Sequence, residues 1–70
     1  MNDGKLLNNL RRRRLLADLT QSELAKLVQV TRQTIIAIEK GNYAPSVLLA
    51  LRLARHLQCT VEDIFYEEII

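Results

Sequence analysis

The sequence predicts a small all-α domain built from five short helices. Its 70 residues, 49% of them apolar, suffice for one core but not for an enzyme fold of layered sheets and helices. Five helix-capping signals follow one another so closely that only turns fit between the helices. No linker, internal repeat or low-complexity segment interrupts the chain, so we expect residues 1–70 to form a single domain.

Each predicted helix begins after a residue whose side chain can accept a hydrogen bond from the first-turn amides. In chain order these caps are Asn8 or Asn9, Thr20, Thr31, Ser46 and Thr60. Glu23 and Asp63 stand three residues after their caps, so both complete capping boxes. The predicted helices end near residues 18, 28, 40, 57 and 65, and Gly41 stops the third of them.

The sequence does not support the disulfide bonds or structural metal sites that stabilise many small domains. Cys59 is the single cysteine, which excludes an internal disulfide, and Cys59 with His56 provides too few ligands for a structural zinc site. We expect no cofactor, and no base-and-nucleophile pair indicates an enzyme. A core of this size rarely supplies more than about 3–5 kcal/mol, so a second copy of the chain is the leading source of further stability.

Nothing in the sequence predicts a membrane segment. The longest purely apolar run, Val47–Leu51, is far shorter than the about 20 residues that cross a bilayer. The N-terminus lacks the basic-then-apolar order of a signal peptide. With a single thiol, these features lead us to expect a cytoplasmic protein.

The net charge of +2 conceals a polarity along the chain. Residues 1–40 carry eight basic and four acidic side chains, whereas residues 41–70 carry two basic and four acidic ones. A basic half beside an acidic half indicates a side that faces a polyanion. Ordinary solvated helix faces explain the same charges, and charge alone does not separate the two interpretations.

The two chain ends do not fit the helical pattern. Lys5–Asn8 precedes the first cap and Tyr66–Ile70 follows the last helix, yet both segments contain large apolar residues. Exposed leucines and isoleucines are unfavourable unless something covers them. The ends are therefore either frayed or paired as short strands that help to complete a dimer.

Residues 21–40 predict two helices that cross at a tight turn. Leu24, Ala25 and Val28 share one face of the first of these, and Ile35 and Ile38 share one face of the second. Burial of these faces leaves five side chains of the second helix pointing outward: Arg32, Gln33, Ile36, Ala37 and Lys40. Arginine bonds guanine and glutamine bonds adenine through paired hydrogen bonds, so this exposed face suits a DNA groove.

Several segments resemble the Cro/C1-type (XRE) helix-turn-helix family. They are QSELA at 21–25, VTRQTI at 30–35, IE at 38–39 and GNYAPS at 41–46. The resemblance covers about residues 8–65, and the DIF at 63–65 is similar to the ending of short single-domain members. It implies a five-helix, lambda-repressor-like domain that binds double-stranded DNA and regulates transcription.

The resemblance also implies roles for matched residues. The implied base-reading residues are Arg32 and Gln33. Ile36 departs from the small polar residue that is common in the family, but it lies with Ala37 on the same outward face, so we expect both to contact bases, Ile36 through a thymine methyl group. The implied phosphate-contacting residues are Gln21, Thr31, Thr34, Lys40, Asn42 and Tyr43. Arg14 and Glu39 match an ion pair that the family often buries between the first and third helices. Asp18 and Gln29 replace common glycines, so both are expected at positive φ or in a slightly altered turn.

Together these features predict a homodimeric repressor whose third helix lies in the major groove. Two subunits would place their reading helices about 34 Å apart on a pseudo-palindromic operator. The fourth and fifth helices and the two chain ends are the expected dimer surface. The named candidates there are Leu6, Leu7, Phe65, Ile69 and Ile70.

Two other functions fit the same fold. One is an antitoxin that binds a toxin protein and represses its own operon. The other is a protein-interaction module that does not bind DNA, although the joint presence of Gln21, Arg32, Gln33 and Lys40 argues against it.

Overall fold

A computed structural model describes residues 4–69 and confirms the five-helix fold. The helices and strands lie in the order β1 (Lys5–Asn8), α1 (Leu10–Leu16), α2 (Gln21–Leu27), α3 (Arg32–Glu39), α4 (Val47–His56), α5 (Val61–Ile64) and β2 (Phe65–Glu68). Ile70, one of the dimer-surface candidates, lies outside the described residues. No helix within residues 4–69 is long and apolar enough to span a membrane.

Local capping explains where four of the helices begin. The hydroxyls of the cap residues accept hydrogen bonds from first-turn amides in α2, α3, α4 and α5, and the caps are Thr20, Thr31, Ser46 and Thr60. Both predicted capping boxes are complete. At α1 the cap position belongs to Asn9, but it is Asn8 whose side-chain oxygen accepts from the Leu10 amide, at 3.1 Å.

Four helices end in the same way, with a residue in the left-handed conformation. Asp18, Gln29, Gly41 and Gln58 have φ angles of 60°, 63°, 79° and 56°. In each case the amide of the next residue bonds the carbonyl five positions back, as between Asn42 and Ala37 at 2.9 Å. This is the Schellman arrangement, which satisfies carbonyls that the helix end would leave unpaired. Positive φ at Asp18 and Gln29 was expected, whereas that at Gln58 was not.

The core forms where the five helices meet. Leu10, Leu24, Ile35, Leu53 and Ile64 are completely buried, one from each helix. Ala25 is 3% exposed where α2 packs on α3, and a larger side chain there would push the two helices apart. An ion pair also joins α1 to α5, because the Arg13 guanidinium lies 3.7 Å from the Asp63 carboxylate.

The two chain ends pair with each other as strands. β1 and β2 form an antiparallel ribbon in which Leu7 lies opposite Tyr66 and Asn8 opposite Phe65. The second strand begins at Phe65, one residue earlier than predicted. The Asn9 amide donates to the Ile64 carbonyl at 2.7 Å, which fixes the ribbon to the end of α5.

This pairing occurs within one chain and corrects the expectation for Phe65. That side chain is only 9% exposed and belongs to the core, so it leaves little surface for a second chain. Leu7 is half-buried in the ribbon. Leu6 and Ile69 remain exposed, at 46% and 77%.

Candidate nucleic-acid interface

The turn between α2 and α3 determines which side of α3 faces outward. The Val30 amide donates to the Ala25 carbonyl at 3.0 Å, which closes α2 and directs the chain into the Thr31 cap. Ile35 and Ile38 then lie in the core, at 0% and 1% exposure. Because these two positions are buried, the opposite side of α3 is left on the surface.

The outward side of α3 carries the residues that the sequence singled out for base reading. Arg32 and Gln33, in the first turn, are exposed, while Ile36 and Ala37, one turn later, are half-buried. The polar side chains therefore project furthest at the beginning of the helix. The shorter and apolar ones follow toward its middle, where methyl groups suit contact with thymine.

A buried ion pair fixes α3 against α1. Arg14 donates from Nε to Glu39 at 2.7 Å and from Nη2 to the other carboxylate oxygen at 3.3 Å. The side chains are 9% and 6% exposed. Arg14 also donates to the Leu19 carbonyl at 2.9 Å, so the turn before α2 joins the same arrangement. Two parallel bonds between a guanidinium and a carboxylate restrict orientation as well as distance.

Gln21 extends this arrangement to the surface. Its Nε2 donates to Glu39 Oε1 at 3.0 Å, and its Oε1 accepts from Arg32 Nη2 at 3.2 Å. A continuous polar chain therefore runs from buried Arg14 to exposed Arg32. The sequence predicted Gln21 as a phosphate contact and did not predict its bonds to Glu39 and Arg32. No local pattern carried a signal for these bonds, because Glu39 and Arg32 lie 18 and 11 residues from Gln21.

The six residues named as phosphate contacts occupy the two ends of α3. Near its beginning lie Thr31, Thr34 and Gln21, and the hydroxyls of the two threonines are 3.3 Å apart. Near its end lie Lys40, Asn42 and Tyr43, all exposed. Asn8 donates from Nδ2 to the Ile38 carbonyl at 2.9 Å, which holds the end of α3 against the ribbon. The two groups flank the residues that the sequence predicts to read bases.

Two titratable groups away from α3, Glu23 and Cys59, have pKa values that are shifted by their local contacts. The pKa of Glu23 is lowered because the Thr20 amide donates to its carboxylate, with the Thr20 hydroxyl adding to the effect. Burial raises the pKa of the Cys59 thiol, which therefore stays protonated and behaves as a small packing residue. Within residues 4–69, no three His, Cys, Asp or Glu side chains are grouped closely enough to hold a metal.

A family model described as helix-turn-helix matches residues 10–64 of the chain. The protein belongs to the Cro/C1-type helix-turn-helix family. The family members that resemble it are named as transcriptional regulators, and the chain is a regulator of this kind rather than an enzyme. The matched span includes every residue that the sequence predicts to contact a base or a phosphate.

Two relatives from different domains of life illustrate the similarity. An uncharacterised HTH-type transcriptional regulator of Methanocaldococcus jannaschii is 52% identical over 61 residues, which cover 87% of this chain and 92% of the relative. The uncharacterised regulator YgzD of Bacillus subtilis is 49% identical over 49 residues, which cover 70% of this chain and 74% of YgzD. The family assignment therefore rests on nearly the whole domain.

Solved structures agree with this family assignment. The P22 c2 repressor, solved in complex with a synthetic operator, has a TM-score of 0.73 at 30% identity and covers 76% of this chain and 80% of its own. The restriction-modification controller protein C.AhdI from Aeromonas hydrophila has a TM-score of 0.72 at 30% identity, covering 77% and 78%. The transcriptional regulator VanUg, at 20% identity and a TM-score of 0.78, matches the fold over 100% of this chain and 93% of its own.

Proposed function

We propose that this regulator is a cytoplasmic repressor that binds a pseudo-palindromic operator as a homodimer. In each subunit α3 lies in the major groove, and Arg32, Gln33, Ile36 and Ala37 contact base edges. The observation that carries this proposal is the exposure of Arg32 and Gln33 in the first turn of α3, while Ile35 and Ile38 anchor the opposite side. Helix-turn-helix proteins read bases from the first turns of this helix.

Phosphate contacts at both ends of α3 would determine the register of the reading helix. In our proposal Gln21, Thr31 and Thr34 contact one strand of the duplex near the beginning of α3. Lys40, Asn42 and Tyr43 contact the backbone near its end. Phosphate contacts carry no sequence information, but they determine which base pairs Arg32 and Gln33 reach.

The short reading helix favours a two-fold complex. α3 contains only 8 residues, so one subunit reads few base pairs. A homodimer doubles the read sequence and matches a two-fold protein to a two-fold operator, with half-sites about 34 Å apart. The similarity to a repressor solved with its operator supports repression by occupancy of the operator.

Selection of bound sequences from a random duplex pool tests the proposal directly. We expect enrichment of two half-sites related by a two-fold axis and separated by about one helical turn. Affinity for the selected duplex should fall steeply with salt, because bound phosphates release counterions. A pool that shows no enrichment, or affinity without salt dependence, contradicts the proposal.

Arginine variants supply the matched comparison. Arg32→Ala should lose affinity for the selected duplex and relax discrimination at one base pair, by about 1–3 kcal/mol. Arg12→Ala removes an equal charge from the exposed side of α1 and serves as its control. Equal losses in both variants would mean that Arg32 contributes only charge and reads no base.

A further inference from the structure

The outer side of α1 carries two uncovered leucines beside two arginines. Leu15 and Leu16 are 53% and 70% exposed, and Arg11 and Arg12 are exposed one turn earlier. Side chains four residues apart lie on the same side of a helix, so Arg11 is next to Leu15 and Arg12 is next to Leu16. All four side chains line one groove along the helix. We call these four residues the α1 face.

The fold itself makes no use of the α1 face. The buried residues of this helix, Leu10 and Arg14, point to the opposite side. Neither Arg11 nor Arg12 makes an ion pair with another residue in the described range 4–69, whereas Arg13 and Arg14 each make one. Single exposed leucines are ordinary, but adjacent ones with a charged margin indicate an interaction surface.

The charge of the α1 face has one sign. The helix contains four arginines and no acidic residue. Glu39 also lines the groove, but its carboxylate is already bonded to Arg14 and Gln21, and the charge of Arg14 balances its own. The α1 face therefore attracts anionic groups, and two copies of it repel each other.

We infer that the α1 face docks an acidic amphipathic helix of another protein. Such a helix presents apolar side chains at every third or fourth position and charged side chains beside them. Its apolar side chains can pack on Leu15 and Leu16 while its carboxylates pair with Arg11 and Arg12. Arginine suits this role, because its planar guanidinium binds a carboxylate through two parallel hydrogen bonds.

Other partners use only part of the α1 face. DNA phosphates can pair with the two arginines, but they leave the two leucines in water. A second copy of the same face would bring guanidinium groups of like charge together. The expected dimer surface lies on the fourth and fifth helices and the chain ends, so α1 stays accessible in the proposed homodimer. The inferred partner is therefore additional to DNA and to the second subunit.

Fluorescence anisotropy with designed helical peptides tests the inference. The probe is a labelled peptide of about 15 residues with leucine at every third or fourth position and glutamate on its other side. We expect the wild type to bind it with a Kd on the order of 10–100 μM, because the face is small. The same peptide with lysine in place of glutamate should not bind.

Two double variants test the two parts of the α1 face. Arg12→Glu/Leu16→Gln and Leu15→Gln/Leu16→Gln should each weaken binding of the acidic peptide about tenfold or more. Lys26→Glu/Leu27→Gln is the matched control, because it changes an adjacent exposed lysine and leucine on α2, and it should bind as the wild type does. Glutamate and glutamine are good helix formers, and circular dichroism verifies that each variant keeps its helices.

Four results would overturn the inference. They are no binding of the acidic peptide, equal binding of the lysine peptide, an equal loss in Lys26→Glu/Leu27→Gln, or unchanged binding in Leu15→Gln/Leu16→Gln. The last result would mean that the arginines attract any polyanion without help from the leucines.

Binding to the selected duplex separates this inference from the proposed function. Arg12→Glu/Leu16→Gln should keep its duplex affinity, because α3 is untouched. If it loses as much duplex affinity as Arg32→Ala, the α1 face contacts DNA and the inference is wrong. A wild type that binds the acidic peptide through this face but binds no duplex contradicts the DNA proposal and leaves the docking surface standing.

Discussion

Gln21 donates from Nε2 to Glu39 Oε1 at 3.0 Å, so the first residue of α2 is bonded to the last residue of α3. Glu39 thus serves two neighbours at once, since its carboxylate also accepts from Arg14. The same carboxylate holds α3 against α1 and orients the glutamine amide that reaches Arg32. Stability of the fold and placement of Arg32, which we propose to read a base, therefore depend on one buried group.

Glu39→Gln should destabilise the protein by about 3–5 kcal/mol, because it leaves the buried Arg14 without its counter-charge. The free energy of unfolding in urea measures the effect. Glu67→Gln provides the control, because Glu67 is an exposed carboxylate on β2. The double variant Arg14→Met/Glu39→Gln should recover part of the loss, since no unpaired charge then stays buried. Equal stability of Glu39→Gln and wild type would show that the pair contributes nothing.

The bond between Gln21 and Arg32 should appear as energetic coupling in DNA binding. We measure the loss of binding free energy on the selected operator for Gln21→Ala, for Arg32→Ala and for the double variant. The loss in the double variant should differ from the sum of the two single losses by at least about 0.5 kcal/mol. The reason is that loss of Gln21 frees the guanidinium, so Arg32 must be ordered when DNA binds. A second cycle, of Gln21→Ala with Tyr43→Ala, should be additive, because Tyr43 lies in the turn beyond Gly41 and shares no hydrogen bond with Gln21 within residues 4–69. Additivity in both cycles would mean that Gln21 does not position Arg32.

Gln33→Ala should cost about 1–3 kcal/mol on the selected operator and relax the preference at one base pair. Gln33 is exposed in the first turn of α3, and no hydrogen bond within residues 4–69 occupies its amide. Its two hydrogen-bonding groups are therefore available to a base edge. Binding measured on duplexes changed at each position checks the effect. A uniform loss on every sequence would assign Gln33 to the backbone instead.

Features that depend on neighbouring residues were predictable from the sequence. The capping boxes of Thr20 and Thr60 were predicted correctly because cap and acceptor are three residues apart. Features that depend on distant residues were predicted only where the family resemblance implied them, as it did for Arg14 and Glu39. The bonds of Gln21 join residues 18 and 11 positions away, and no local pattern encodes them. The burial of Phe65 likewise follows from pairing of the two chain ends.

The dimer surface shows a different limit of sequence reasoning. The sequence indicated a dimer surface on the fourth and fifth helices and at the apolar chain ends, and it named individual residues only near the ends. Composition does not reveal which apolar residues stay exposed after the chain folds. Only the packing of Leu49 and Leu53 against the core shows that Leu48 and Leu51 are surplus to it.

Stability should decrease in acid, partly through the two capping-box carboxylates. The pKa of Asp63 is lowered because the Thr60 amide and hydroxyl bond its carboxylate, with a smaller contribution from Arg13, and that of Glu23 is lowered by Thr20. A carboxyl whose pKa is lower in the folded state contributes stability above its ordinary pKa. That contribution disappears as the pH falls through the ordinary value to the lowered one.

Urea midpoints measured between neutral pH and about pH 3 test this linkage. Glu23→Gln/Asp63→Asn should lose less stability over this range than wild type, because neither replacement titrates. Glu67→Gln/Glu68→Gln removes two exposed carboxylates that are not in capping boxes. In this control the urea midpoint should change with pH as it does in the wild type. If the urea midpoint changes equally with pH in both double variants, the capping boxes are not a source of acid sensitivity.

Of the helices that end at a residue with positive φ, one does so at Gln58 and another at Gly41. Introducing glycine at the first position and removing it from the second should change the stability in opposite directions. Gln58 has a φ of 56°, where a Cβ atom is unfavourable, whereas Gly41 has a φ of 79° and no heavy atom within 4 Å of a Cβ built on it. Gln58→Gly should therefore stabilise the protein by up to about 1 kcal/mol, and Gly41→Ala should destabilise it by about 1 kcal/mol, through backbone conformation alone.

Thermal unfolding of the two variants measures these effects, with Gln33→Gly as the comparison. Gln33 lies within α3 at helical φ, where glycine costs about 1 kcal/mol relative to a helix-forming residue. A glutamine-to-glycine change should thus have opposite signs at positions 58 and 33. If Gln58→Gly destabilises the protein as Gln33→Gly does, the side chain of Gln58 contributes more than its strained backbone costs.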